Sequence, residues 1–134
     1  MRRLVDARRV GERHITLIGA GLAGSLLAIY LARRGHRVTV YEWRPDLRRV
    51  EVPAGRSINL ALANRGIAAL AALGLMDDVE KLLIPMRGRM LHDPHGRLEL
   101  QAYGQRPHEV IYSVSRLLLT ALLLERGRGD RNGE

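Results

Sequence analysis

Apolar residues along the chain follow two rhythms, and the changes between them map the elements. His14 to Ile18 is a short aliphatic and β-branched run that stops at glycine, as a buried strand feeding a tight turn does. Leu22, Leu26, Ile29 and Tyr30 then recur at helical spacing, and Arg33, Arg34 and Gly35 supply a basic last turn and a glycine stop. The spacing predicts a helix over Leu22 to Arg34. From Arg37 to Glu42, Val38 and Val40 alternate with polar neighbours, which predicts a second strand. A strand, a helix and a strand within about 30 residues form a right-handed βαβ unit with parallel strands.

Beyond an Arg- and Pro-rich stretch from Arg44 to Pro53, Asn64 can cap a helix that runs through Leu73 and stops at Gly74. Met76 to Leu83 predicts a short helix before Pro85. Met86 to His92 and Arg97 to Tyr103 flank Asp93-Pro94-His95-Gly96, a turn sequence that predicts a β-hairpin. Glu109 to Val114 is one more strand, expected as the third member of the parallel sheet, and Ser115 is placed to cap a helix over Arg116 to Glu125. Residues 1–13 and 126–134 are polar or basic without periodicity and are expected to be disordered, leaving one folded unit over 14–125. The fold class is α/β.

Composition narrows the function classes. A chain of 134 residues, 46% hydrophobic and 27% charged, is one globular domain at most. Without cysteine there is no disulfide scaffold, thiolate metal site or cysteine nucleophile, which fits a reducing compartment, the cytoplasm by expectation. Five histidines show no metal-ligand spacing with carboxylates, so no metal is expected. The net charge of +8 comes from Arg, with Lys81 the one lysine, and would suit any polyanion. With Trp43, four Tyr and no Phe, however, the chain lacks the aromatic platforms of single-strand binders, and no nucleic acid is expected as partner. The apolar runs at Leu26 to Ala32 and Leu117 to Leu124 are too short for a bilayer of about 20 helical residues.

The chemistry lies where the first strand meets the first helix. Gly19-Ala20-Gly21-Leu22-Ala23-Gly24 has the dinucleotide spacing in the right context: Gly19 for the tight turn, Gly21 for approach of a pyrophosphate, Gly24 for close helix packing. The helix N-terminus would hold the ligand charge. Glu42 lies 18 residues past Gly24 at the end of the second strand, where a carboxylate accepts both hydroxyls of an adenosine ribose. It would repel a 2′-phosphate, so FAD or NAD is expected there rather than NADP. Arg44 could stack on adenine, pair with a phosphate or simply face solvent. Tyr41 and Trp43 are read as core or surface packing.

Three further segments carry a family resemblance: GRSINLALANRG (Gly55 to Gly66), IPMRGRM (Ile84 to Met90) and YSVSR (Tyr112 to Arg116). With the glycine turn, they make the chain resemble the kynurenine 3-monooxygenase family of FAD-dependent aromatic hydroxylases from about His14 to about Leu124. The resemblance implies an incomplete Rossmann-like FAD-binding domain with an added β-hairpin. It implies FAD contacts at Gly19, Gly21, Ala23, Gly24, Tyr41, Glu42, Trp43, Arg44, Ala61 and Arg116. It also implies contacts to the substrate L-kynurenine at Arg89 and Tyr103. An arginine fork suits an α-carboxylate, although periodicity alone puts Arg87 and Arg89 on one hairpin face without choosing between them. Arg116 opens the last helix, where a guanidinium could reach flavin phosphate or ribityl oxygens.

The activity implied by the resemblance is reduction of FAD by NADPH and transfer of an oxygen from O2 to the kynurenine ring. Protein side chains position and exclude water in such a scheme, so no acid–base catalyst is nominated. Family members are much longer, and the chain alone is expected to be inactive and to expose apolar surface. Two other readings are another FAD-dependent aromatic hydroxylase and a stand-alone nucleotide-binding or basic nucleic-acid-binding module.

Overall fold

The computed structural model of the chain describes residues 11, 13–46, 58–106 and 109–129. In chain order the elements are β1 (His14–Ile18), α1 (Leu22–Arg33), β2 (Arg37–Tyr41), β3 (Asn59–Leu62), α2 (Asn64–Ala71) and α3 (Met76–Val79). A 3₁₀ turn (Glu80–Leu82) leads to β4 (Ile84–Met86), β5 (Gly88–His92), β6 (Leu98–Ala102), β7 (Ile111–Ser115) and α4 (Arg116–Gly129).

The opening βαβ unit forms as its sequence dictates. β1 and β2 run parallel, His14 opposite Arg37 and Ile18 opposite Tyr41. Because strand side chains alternate, the half-buried Ile15, Leu17 and Val38 share one face. The other face carries His14, Thr16, Ile18, Thr39 and Tyr41, with a 2.8 Å hydrogen bond between the His14 ring and the Thr39 hydroxyl. Ile18 is 83% exposed on it, so this mostly polar face leaves one large apolar side chain uncovered among the described residues. α1 stops where its basic turn meets Gly35, whose φ of 82° gives the left-handed step.

Two antiparallel sheets follow. One has the order β3-β7-β4, and the other is the β5–β6 hairpin. The core gathers where the helices meet the central strand of the three-stranded sheet: Ile29 of α1, Leu70, Leu73, Leu75 and Val79 around α2 and α3, Val114 of β7, and Leu119 and Leu123 of α4 are buried together. Leu22, Leu26 and Tyr30 pack against that cluster from the helical stripe legible in the sequence. Two side chains of α1 also reach the end of α2. The Tyr30 hydroxyl donates to the Ala69 carbonyl at 2.9 Å, and Arg33 Nη1 donates to the Leu73 carbonyl at 2.5 Å. The first satisfies a carbonyl that α2 leaves open at its C-terminus, and the second satisfies one in the turn that follows.

Several expectations need correction. β7 is antiparallel to both its neighbours, so the parallel sheet has two strands among the described residues instead of three. β3 was not expected at all. The strand expected over Met86 to His92 divides at Arg87 into β4, which joins β7, and β5, which joins the hairpin. Asn64 is the first residue of α2, and its N-cap is Ala63 without a side-chain bond. Ser115 does cap α4, its hydroxyl accepting from the Leu118 amide at 3.4 Å. α4 runs to Gly129, so residues 126–129 are helical and not part of a disordered tail. The continuation packs Gly127 against Ile29 and pairs Arg126 with Asp78. Residues 130–134, and the leader apart from Gly11 and Arg13, lie outside the described residues. No helix among the described residues is long and apolar enough to cross a membrane, and no group of His, Asp and Glu there could hold a metal.

Candidate functional site

The turn after β1 is held against the end of β2 by two bonds. The Gly19 amide donates to the Tyr41 carbonyl at 2.7 Å, and the Ala20 amide donates to Glu42 Oε2 at 2.8 Å. Gly19 sits at φ 97°, a conformation side-chain-bearing residues rarely adopt. The chain then enters α1 with Gly21 as its N-cap, in ordinary extended geometry at φ −72°. Ser25, only 4% exposed, returns its hydroxyl to the Ala20 carbonyl at 3.1 Å and so fixes the far side of the turn.

The glycines of the motif differ in what demands them. A Cβ on Gly24 would lie 2.1 Å from the Gly19 carbonyl oxygen, so the chain's own packing requires glycine there. A Cβ on Gly21 would meet no atom of the described residues within 4 Å, and its backbone angles suit any residue. No contact among the described residues requires glycine at 21. The space kept open there lies at the amino end of a 12-residue helix, where orphan amides and the helix dipole favour an anion. The residues present therefore fit a pyrophosphate.

Glu42 is not the free carboxylate that its spacing suggested. Arg44 donates to it three times at 2.9 Å: its amide and Nε to Oε1, and Nη2 to Oε2. With the Ala20 amide, these bonds use about all four lone-pair directions of a carboxylate. The Arg44 guanidinium, then the Arg44 and Ala20 amides, hold the Glu42 carboxyl well below the usual carboxylate range. Arg44 is raised in turn by the same partner. A new hydrogen-bond donor at Glu42 would compete with the Arg44 fork, an ion pair exposed enough to be exchanged for another partner.

An open cavity of about 380 Å³ adjoins this acid, within the size range of small-molecule sites. Ala20, Ser25, Val40 and Arg44 line it on one side, and Leu123 and Arg128 of α4 on the other. Neither Ser25 nor the α4 wall was anticipated. A serine within a helix carries no motif, and the wall depends on α4 running past Glu125.

The other nominated residues stand on separate elements. Ala23 lies exposed in the first turn of α1. Tyr41 contributes its carbonyl to the turn while its ring is exposed, and Trp43 is 92% exposed, so neither packs in the core. Ala61 on β3 sits opposite Ser113 of β7, and the Arg116 amide, just past that ladder, donates to the Ile58 carbonyl at 3.2 Å. The three-stranded sheet thus ties Ala61 and Arg116 into one unit, with the Arg116 side chain at the surface. In the hairpin, Arg89 lies opposite Gln101, and the Tyr103 amide donates to the Arg87 carbonyl at 3.0 Å, which extends the ladder by a pair. Arg87, Arg89, Gln101 and Tyr103 therefore share one face.

A parallel strand pair, a glycine turn feeding a helix N-terminus and an acid at the second strand end define a Rossmann-like nucleotide-binding unit. The sequence pattern of the NAD(P)-binding Rossmann-like domain family matches residues 17–67. Among solved structures, the chain is similar to p-nitrophenol 4-monooxygenase from Pseudomonas putida DLL-E4 (TM-score 0.67, 21% identity, 88% of this chain and 30% of that one). It is similar also to the myxobacterial chondrochloren halogenase, described as a variant of FAD-dependent halogenases (TM-score 0.64, 26% identity, 89% and 27%). The fold is thus the one found in FAD-dependent monooxygenases and their kin.

In sequence, the chain resembles kynurenine 3-monooxygenases. It is 49% identical to that of Legionella pneumophila (strain Lens) over 116 residues, 87% of this chain and 26% of the relative. With that of Myxococcus xanthus (strain DK1622) it shares 54% over 110 residues, 82% and 24%. The chain spans about a quarter of the length of these curated relatives.

Proposed function

We propose that the chain is the FAD-binding portion of an enzyme of the kynurenine 3-monooxygenase kind, working in a reducing compartment such as the cytoplasm. One observation carries this reading: no contact among the described residues keeps Gly21 bare, and it stands at a helix N-terminus bonded through Ala20 to an acid that suits a ribose. In the complete enzyme FAD would supply the oxygen chemistry, taking electrons from NADPH and oxygen from O2. L-Kynurenine, NADPH, a proton and O2 would give 3-hydroxykynurenine, NADP⁺ and water.

The residues of this chain bind and orient. Amides of the turn at Gly21 to Ala23 would receive the pyrophosphate, and Glu42 would accept the ribose hydroxyls once Arg44 swings clear. Tyr41, Trp43 and Arg44 would border the adenine, while Ala61 and Arg116 would approach the cofactor from the three-stranded sheet. Arg89 and Tyr103, sharing a hairpin face, would take the substrate, the guanidinium gripping its α-carboxylate.

The test is titration of the purified chain with FAD, NADP⁺ and duplex DNA. Saturable FAD binding with weak NADP⁺ binding supports the reading. DNA affinity that collapses with salt, without FAD binding, would favour a basic nucleic-acid-binding module instead. In an enzyme completed by grafting residues 13–129 into the matching segment of the Legionella relative, turnover of kynurenine separates the kynurenine reading from that of another aromatic hydroxylase.

A further inference from the structure

We propose that Gln101 is a positioning residue for the substrate carboxylate, holding the Arg89 guanidinium so that only its outer edge is left to grip. The inference rests on the reading of Arg89 given above and deepens it. Arg89 Nε donates to Gln101 Oε1 at 2.5 Å, across the hairpin from the residue directly opposite. The acceptor is itself well placed. A Cβ on Gly88 would lie 2.5 Å from the Gln101 backbone carbonyl oxygen, so the bare glycine lets the two strands close together at the Gly88–Ala102 pair next to it.

A guanidinium can meet a carboxylate side-on, through Nε and one Nη, or end-on, through both Nη groups. With Nε engaged by Gln101, the end-on edge formed by the two Nη groups remains. An exposed arginine also samples many rotamers, and a partner that restrains it before binding removes part of the ordering cost from the binding step. Glutamine suits the task because its neutral carbonyl accepts the Nε proton without cancelling the charge that attracts the substrate. Glutamate at the same place would occupy the fork and repel the incoming anion.

The experiment has two readouts. In the 134-residue chain, the Arg89 Nε–H signal is followed by NMR in wild type and Gln101→Leu. A slowly exchanging proton in the first and a fast one in the second is expected, and an unchanged proton overturns the proposal. In the grafted enzyme, KM is measured for L-kynurenine and for the analogue lacking the α-carboxylate. Gln101→Leu should raise KM for kynurenine about tenfold, the worth of one hydrogen bond to a charged group, with kcat and flavin content held and KM for the analogue unmoved. Gln101→Glu should raise it further.

A merely structural pair would shift both substrates alike, which overturns the proposal. If Arg89→Ala abolishes the preference for the carboxylate but Gln101→Leu leaves it intact, Gln101 has no such role while the reading of Arg89 stands. If Arg89→Ala changes neither substrate, the reading of Arg89 falls and this inference with it.

Discussion

Gly21 offers a way to separate what the fold needs from what a ligand needs. Replacing it with alanine adds one methyl group where no atom of the described residues lies within 4 Å, at φ −72°. Alanine is a poorer N-cap than glycine, by about 0.5–1 kcal/mol, but loses less backbone freedom on folding, worth about 0.4–1 kcal/mol in the opposite direction. The two effects nearly cancel, so urea unfolding of Gly21→Ala should match wild type within about 0.5 kcal/mol. The same methyl would stand in the path of a pyrophosphate. Forcing it off one amide loses a charge-assisted hydrogen bond of about 1.5–3 kcal/mol, which is about 10- to 100-fold in affinity, and Gly21→Val should lose more.

Flavin fluorescence quenching measures that loss directly. Gly24→Ala is the contrasting variant: its methyl meets the Gly19 carbonyl at 2.1 Å, so it should destabilise the fold by about 1–3 kcal/mol whether or not nucleotide is present. Wild-type affinity for FAD in Gly21→Ala would refute the placement of the pyrophosphate, and an unfolded Gly21→Ala would refute the claim that this glycine is kept for a ligand.

Other variants test the surroundings. Glu42→Ala should lower FAD affinity about tenfold or more by isothermal titration and also lower Tm, because the Ala20 amide and the Arg44 fork lose their acceptor. The Glu42 carboxyl is depressed in the folded chain, so its stabilising effect is complete above the ordinary value of 4.5 and is lost as pH falls below that. The Tm difference between wild type and Glu42→Gln should accordingly shrink on acidification. Tyr30→Phe removes the hydroxyl that donates to the Ala69 carbonyl and should cost about 1 kcal/mol in urea unfolding with FAD affinity unchanged.

How much could be read from the chain depended on how local the signal was. β1, α1 and β2 were legible because each announces itself within its own few residues: a β-branched run, a helical stripe, a glycine stop, an alternating run. Asn59 to Leu62 announces nothing. It is a four-residue strand whose partner, β7, lies about fifty positions away, and its pairing appears only when the fold is formed. The direction of β7 was misread for the same reason, since a strand's alternation says which face is buried but not which way its neighbours run.

At the site, the glycine turn and Glu42 were legible through their spacing. The engagement of Glu42 by Arg44 was not, because a carboxylate two residues from an arginine is commonplace in exposed loops. Ser25 and Gln101 belong to no motif; one matters through burial and the other through cross-strand register. The α4 side of the cavity was hidden by the glycines and arginines after Glu125, which resemble a tail until Gly127 is seen packed on Ile29.

With Glu42 holding the ribose as proposed, its bond to the Ala20 amide would give one side chain two duties that evolution cannot separate cheaply. Lineages that switch from a plain ribose to a phosphorylated one must discard this acid, and here that step also unpins the loop on which any dinucleotide would rest. A change of cofactor in this scaffold would therefore need a second substitution to brace the turn before the first could be tolerated.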